Sequence, residues 1–171
     1  MNREEITHIC EREVLEPAAR LFGTSKASLI KIPDSEGCAN LVYEYQRDGQ
    51  ARILRLSFNP ERPVTQIQAE LHFINHLAQG GVRVSLPILS EHGNLIEVLP
   101  AAGISFIAVS FVKGRGMRVP DNGYRYRVGI PIEEYFQNWG QVLGQMHRLA
   151  KNYQPLRAAI KRPTWFEWET A

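Results

Sequence analysis

Two charged residues stand where an apolar pattern does not call for them. Arg55 interrupts the strand-like run ILRLSF at residues 53–58, and Glu70 falls on the apolar side of a helix-patterned stretch, between Ile67 one turn before it and Ile74 one turn after. A carboxylate turned toward a sheet needs a partner, because desolvating an unpaired charge costs several kcal/mol. Arg55 is the natural candidate. A strand cation held by a helix carboxylate has two uses: a purely structural ion pair, or a cation fixed in place to bind the α- and β-phosphates of a nucleotide. On the pair alone both are open.

The flanking segments have compositions that suit the second use. Asp34 to Asn40 links two strand-like runs, and its Ser35, Gly37 and Asn40 can bring backbone N–H groups and short polar side chains near phosphates. The segment is not a G-x-G-x-x-G fingerprint, and an ordinary hairpin connection has the same composition. Further on, the apolar run Ile104 to Val112 ends in Ser110-Phe111-Val112 and meets Lys113-Gly114-Arg115-Gly116. An adenine ring needs a backbone acceptor and donor side by side between apolar walls, which a strand leaving a sheet into a hinge supplies. Ser110 and Val112 are the candidate backbone positions, with Val42 and Ile53 as the roof. The same aliphatic residues also serve as plain core.

The elements that must position these groups follow from periodicity. Residues 2 to 22 place Ile6, Ile9, Cys10, Val14, Leu15, Ala18, Leu21 and Phe22 on one helical face, opened by an Asn2–Glu5 capping pattern and closed by Gly23. Strands are expected at Ala27–Ile32, Leu41–Gln46 and Ala51–Phe58, the last two joined by the tight-turn pair Asp48-Gly49. Thr65 with Gln68 forms a capping-box pattern before a helix that runs to about Gln79 and stops at Gly80-Gly81. Short strands around 86–89 and 95–99 precede the longer one at 105–112. A final helix spans roughly Pro131 to Lys151, with a broad apolar face that includes Tyr135, Phe136, Trp139, Val142 and Leu143. This order is α+β with a mostly antiparallel sheet of five strands, not a doubly wound parallel one.

Composition narrows the function classes. In 171 residues, 20 basic side chains balance 18 acidic ones without a basic run, which removes the footprint expected of a nucleic-acid or anionic-membrane binder. No stretch approaches the ~20 apolar residues that a membrane helix requires. The glutamates at 4, 5, 11, 13 and 16 do not fit a signal or transit peptide. The two cysteines, Cys10 and Cys38, have no metal-ligand spacing and read as reduced thiols. A cytoplasmic protein with no metal site of its own is the expectation.

The fixed order of EGCANLVYEY, ARILRLS, QAELHFINHL, SLPILSEHGNLIEVL, FIAVSFVKGRGM and WGQVLGQMHRLAK resembles the aminoglycoside phosphotransferase and choline kinase-like family, which has the protein-kinase fold. The resemblance implies a nucleotide-binding N-terminal lobe over 1–112, then a hinge and the first helical part of a second lobe over 113–171. It also implies ATP or GTP, with magnesium, as phosphoryl donor and a small-molecule hydroxyl as acceptor. By that resemblance Arg55 stands where Lys is common, Glu70 matches the helix carboxylate, and Ser110 and Val112 match the base-binding backbone. Arg for Lys is a departure, since a guanidinium can grip phosphate bidentately but takes more room.

The family's catalytic loop, with its Asp and Asn, and its second metal-binding Asp have no match here. The only aspartates are Asp34, Asp48 and Asp121, none in the last fifty residues. No catalytic residue is therefore assigned, and His147 reads as a helix-surface or packing residue. The alternatives are a non-catalytic α+β binding or regulatory module built on the same small lobe, and an interaction domain in which Arg55 and Glu70 are structural.

The apolar face of the 131–151 helix predicts self-association of this chain, or else mobility of residues 115–171. Sedimentation velocity over a range of concentrations should show a rising average mass; a well-behaved compact monomer throughout contradicts it.

Overall fold

Asn2 opens the first helix as its spacing predicts. Its side-chain oxygen accepts from the Glu5 N–H at 2.9 Å, and the Glu5 carboxylate accepts from the Asn2 N–H at 2.9 Å, so two orphan donors are satisfied reciprocally. The computed structural model describes residues 2–33, 40–58, 63–114 and 131–155, with Ile132 by its backbone alone. The 2–22 helix is not uniform. It runs as α1 (Arg3–Ile9), a π-helical turn (Cys10–Val14) and α2 (Leu15–Leu21), with the Leu15 N–H reaching back to the Cys10 carbonyl. Pro17 accounts for the break, because it has no N–H to offer the Glu13 carbonyl and its ring crowds that carbonyl in a regular helix. Gly23, at φ +69°, ends α2, and a Cβ there would come within 2.7 Å of the Arg47 guanidinium.

The strand expected at 27–32 shrinks to β1 (Ile30–Lys31), preceded by a 3₁₀ turn at Lys26–Ser28. The Glu16 carboxylate accepts from the Lys26 N–H at 2.9 Å and the Ser28 N–H closes on the Ser25 carbonyl, so the backbone groups that a longer strand would pair are already used. β2 (Asn40–Arg47) and β3 (Gln50–Ser57) form the expected hairpin, with Asp48 at φ 53° and Gly49 at φ 70°, the left-handed pair that matches the twist of the strands. The helix after them, α3 (Val64–Gln79), starts one residue before Thr65 and its N-cap is Pro63, with no side-chain cap hydrogen bond. Thr65 is thus inside the first turn, and the expected capping box does not form. β4 (Pro87–Ile88), β5 (Glu97–Ala101), β6 (Ile104–Val112) and α4 (Ile132–Ala150) complete the order.

The sheet has six strands in the order β1-β2-β3-β6-β4, with β5 also on β6 and every pairing antiparallel. β6 is long enough for β5 and β4 to share its outer edge, β5 along Ile104–Ala108 and β4 along Ser110–Phe111. Alternation divides the sheet into two faces. One carries Leu41, Tyr43, Tyr45, Leu54, Leu56, Phe106 and Ala108 against Cys10, Val14, Leu15, Ala18 and Phe22 of the N-terminal helices. The other packs Ile107, Val109 and Phe111 against Ile67 and Leu71 of α3. On α4, Tyr135, Phe136, Trp139 and Val142 remain exposed.

Cys10 is fully buried in the first core, and burial, reinforced by the neighbouring Glu11 charge, pushes its thiol from 9.0 up to about 12. The folded pKa lies above the unfolded one, so between these values the unfolded chain sheds a proton that the folded chain keeps. The contribution is complete below pH 9.0 and is lost as pH rises toward about 12. Denaturant titrations at increasing alkaline pH should show a shallower loss of stability in Cys10→Ala than in the parent; parallel losses contradict this.

Candidate functional site

The register of the sheet places Val42, Arg55 and Val109 side by side across β2, β3 and β6, and Glu44, Ile53 and Phe111 in the next row on the same face. This is the face that α3 covers. Arg55 Nη1 donates to Glu70 Oε1 at 2.8 Å, and each side chain is 17% exposed. The guanidinium carbon lies 5.1 Å from the centroid of the Phe111 ring, so the cation also gains from the ring's negative face. Val42, Ile53, Arg55, Glu70, Ile74 and Phe111, completed by Val84 and Ser85, line one cleft of about 390 Å³. That volume is within the range of small-ligand sites.

The orientation of Arg55 matters more than its pairing. Glu70 takes Nη1, at one end of the guanidinium. Nε and Nη2, on the other edge, are buried and have no hydrogen-bond partner. These two nitrogens present parallel N–H bonds, the edge that grips two oxygens of one carboxylate or phosphate. Buried donors of this kind cost about 1–3 kcal/mol each when left unmade. The fold therefore keeps an oxyanion-sized demand on a side chain that lines an apolar cleft.

The other expected site residues are distributed differently. Ser35 and Gly37 lie outside the described residues. Asn40 opens β2, and its side-chain oxygen accepts from the Ser57 hydroxyl at 2.6 Å, so it is engaged locally. Ser110 points to the opposite face, where its hydroxyl donates to the Ile53 carbonyl at 3.1 Å and lies 2.7 Å from the Tyr45 hydroxyl. Ser110 donates to the carbonyl, so Tyr45 is the donor of the second bond, and burial raises the Tyr45 phenol above its ordinary value and keeps it protonated.

On its backbone, Ser110 is in register with Leu54 on one side and Ile88 on the other. The Val112 N–H donates to the Leu86 carbonyl at 2.8 Å, and the Lys113 N–H to the Ala51 carbonyl at 3.0 Å. The sheet thus holds the chain up to Lys113, and the wall of the cleft at this end is Phe111. Ile74, Val84, Ser85 and Phe111 were not among the expected site residues. Ile74 and Phe111 carried a signal all the same, since Ile74 follows Glu70 by one helical turn and Phe111 alternates with Val109.

Residues 32–171 match the phosphotransferase enzyme family. The chain belongs to that family. Amicoumacin kinase from Bacillus subtilis (strain 168) is 32% identical over 160 residues, which cover 93% of this chain and 45% of that one. A solved amicoumacin kinase in complex with AMP-PNP, Ca2+ and Ami superposes with a TM-score of 0.81 at 31% identity, covering 99% of this chain and 48% of that one. A spectinomycin phosphotransferase in complex with ADP and spectinomycin matches with a TM-score of 0.58 at 13% identity, which shows the shared fold alone. This phosphotransferase-family chain spans less than half the length of the curated relatives it matches.

Its fold is the α+β kinase-like one that its motif order resembles. Among the described residues no group of three or more His, Cys, Asp or Glu side chains could hold a metal ion, and no helix is long and apolar enough to cross a membrane.

Removing one member of the buried pair should cost more than removing both. Glu70→Ala strands a guanidinium without a counter-charge and should destabilise by about 3 kcal/mol, whereas Arg55→Met with Glu70→Leu should be neutral or stabilising by roughly 1–4 kcal/mol. Denaturant midpoints check this; a double variant as unstable as Glu70→Ala contradicts it.

Proposed function

We propose that this chain is the nucleotide-binding part of an ATP-dependent phosphotransferase that acts on a small-molecule hydroxyl in the cytoplasm, with residues 1–112 as the nucleotide lobe. The observation that carries the proposal is Arg55 itself, which lines an apolar cleft, is held by Glu70 through Nη1, and keeps Nε and Nη2 buried without a hydrogen-bond partner. A phosphate oxygen pair satisfies both donors at once, and the apolar lining suits a base better than a second charged group. The relatives support the same reading, since the solved amicoumacin kinase carries AMP-PNP and Ca2+.

Each residue's role follows from its chemistry. Arg55 binds phosphate oxygens through the free edge, while Glu70 fixes the guanidinium and balances its charge. Val42 and Ile53 cover one side of the base and Phe111 closes the back of the cleft. Because the sheet occupies Ser110 and the Val112 N–H, the base-binding backbone falls at the Val112 carbonyl and the Gly114 N–H, where the strand ends. Ser35, Gly37 and Asn40 belong to the segment assigned to cover the phosphates. Magnesium bound with the nucleotide neutralises phosphate charge; none of the described side chains is assigned to it. The exposed Tyr135, Phe136, Trp139 and Val142 of α4 are the surface through which copies of this chain self-associate.

Calorimetric titration with AMP-PNP and magnesium tests the assignment. Arg55→Ala should weaken binding by about 10- to 100-fold, the loss expected for charge-assisted hydrogen bonds of about 1.5–3 kcal/mol. Arg55→Lys should fall between, because an ammonium cannot present two parallel N–H bonds. An Arg55→Ala variant that binds as the parent does leaves only a structural pair.

A further inference from the structure

Glu70 can hold Arg55 in place only if α3 is itself held, and α3 has no side-chain cap at its N-terminus. Its sheet-facing side is tied down by Ile67 and Leu71. Its other flank carries His72, Phe73 and His76, and these meet the end of α4. The Tyr153 ring sits edge-on to Phe73 at 5.0 Å between centroids and lies 5.4 Å from His72 and 5.2 Å from His76. Its hydroxyl is 2.8 Å from His72 Nδ1.

Three further contacts converge on the same seam. His76 Nε2 lies 3.1 Å from the Leu149 carbonyl, in the last turn of α4. A carbonyl only accepts, so His76 carries its proton on Nε2. Gln145 Nε2 donates to the carbonyl of Gly80, the residue that ends α3, at 3.0 Å. A Cβ at Gly80 would stand 2.4 Å from Leu149 Cδ1, so glycine is what lets the two helix ends close to this distance. None of these groups lines the Arg55 cleft.

We propose that Tyr153, clasped by His72, Phe73 and His76, is a positioning residue that fixes α3 from the side opposite the sheet and thereby sets the reach of Glu70 to Arg55. Phe73 follows Glu70 by three residues, less than one helical turn, so a shift of α3 at the clasp is carried to the carboxylate with little damping. Tyr153 touches no nucleotide and acts through Glu70. This makes the segment after α4 part of what orders the phosphate-binding cation, although it is remote from it in sequence. The inference rests on the nucleotide reading of the Arg55 cleft, and its test is arranged so that the two can fail separately.

The test is a double-variant cycle on the full chain, read by AMP-PNP affinity in the presence of magnesium. Glu70→Gln alone should weaken binding about 5-fold, and Tyr153→Ala alone about 3- to 10-fold. If Tyr153 works through Glu70, adding Tyr153→Ala to Glu70→Gln should cost less than about 2-fold more. Equal losses in the two backgrounds, or no loss from Tyr153→Ala where Glu70→Gln weakens binding, overturn the positioning role. An unaffected Glu70→Gln variant overturns the route through Glu70 and the inference with it, while the nucleotide reading is judged separately by Arg55→Ala.

Should Tyr153→Ala lose its helical circular dichroism, Tyr153→Phe runs the same cycle by removing only the hydroxyl contact with His72. A loss of about 2-fold confined to the background that retains Glu70 is then expected. Equal losses in both backgrounds, or none in either, overturn it.

Discussion

A guanidinium held away from water, with one edge paired and the other left open, is the constraint around which the rest is arranged. Charge that is 17% exposed cannot be left to itself. The strand that carries Arg55 has to be central, flanked by β2 and β6, so that its side chain stays at a fixed height above the sheet. The helix that carries Glu70 has to cross that strand at one position. Phe111 supplies a third contact from the neighbouring strand, and with three fixed points the planar group has little freedom. What is left over is a pair of parallel, buried donors on a side chain that lines an apolar cleft.

The two faces of the sheet divide the work. On the side of α1 and α2 the packing is dense and apolar, with Cys10, Phe22, Leu41, Leu54, Leu56 and Phe106 fully buried and Tyr45 hydrogen-bonded to Ser110, although the buried Arg52 Nε on this face has no hydrogen-bond partner. That face supplies stability. The α3 face keeps a cleft, an ion pair and unmade hydrogen bonds, all of which subtract from stability. A protein without a ligand to bind there would gain by filling the cleft and replacing the pair with apolar side chains. The cleft beside a buried ion pair is physical support for a binding role that does not depend on any relative.

The parts of this arrangement that were legible in the sequence were those with short-range causes. Arg55 and Glu70 stood out because each breaks an apolar period, and Asp48-Gly49 and the Asn2–Glu5 box because each is a local motif with one favoured geometry. The misjudged parts had causes outside the local pattern. Pro17 widens a helix turn that periodicity reads as regular, and Glu16 captures the backbone at Lys26 from ten residues away. Pro63, not Thr65, sets the start of α3. Strand parity places the Ser110 side chain on the far face, which leaves its expected role to its backbone. Tyr153 gave no signal at all, since its partners lie some eighty residues earlier in the chain.

The account stands or falls on what the free edge of Arg55 binds. Nitrogen-edited NMR of the arginine side chains, with the Arg55 Nε–H resonance assigned by its loss in Arg55→Lys, observes that edge directly. The resonance should move on addition of AMP-PNP with magnesium, and stay in place on addition of adenosine, which lacks the phosphates. An Arg55 resonance that remains fixed while AMP-PNP saturates the chain contradicts the account, because the nucleotide would then be bound without the group that the fold holds out for it.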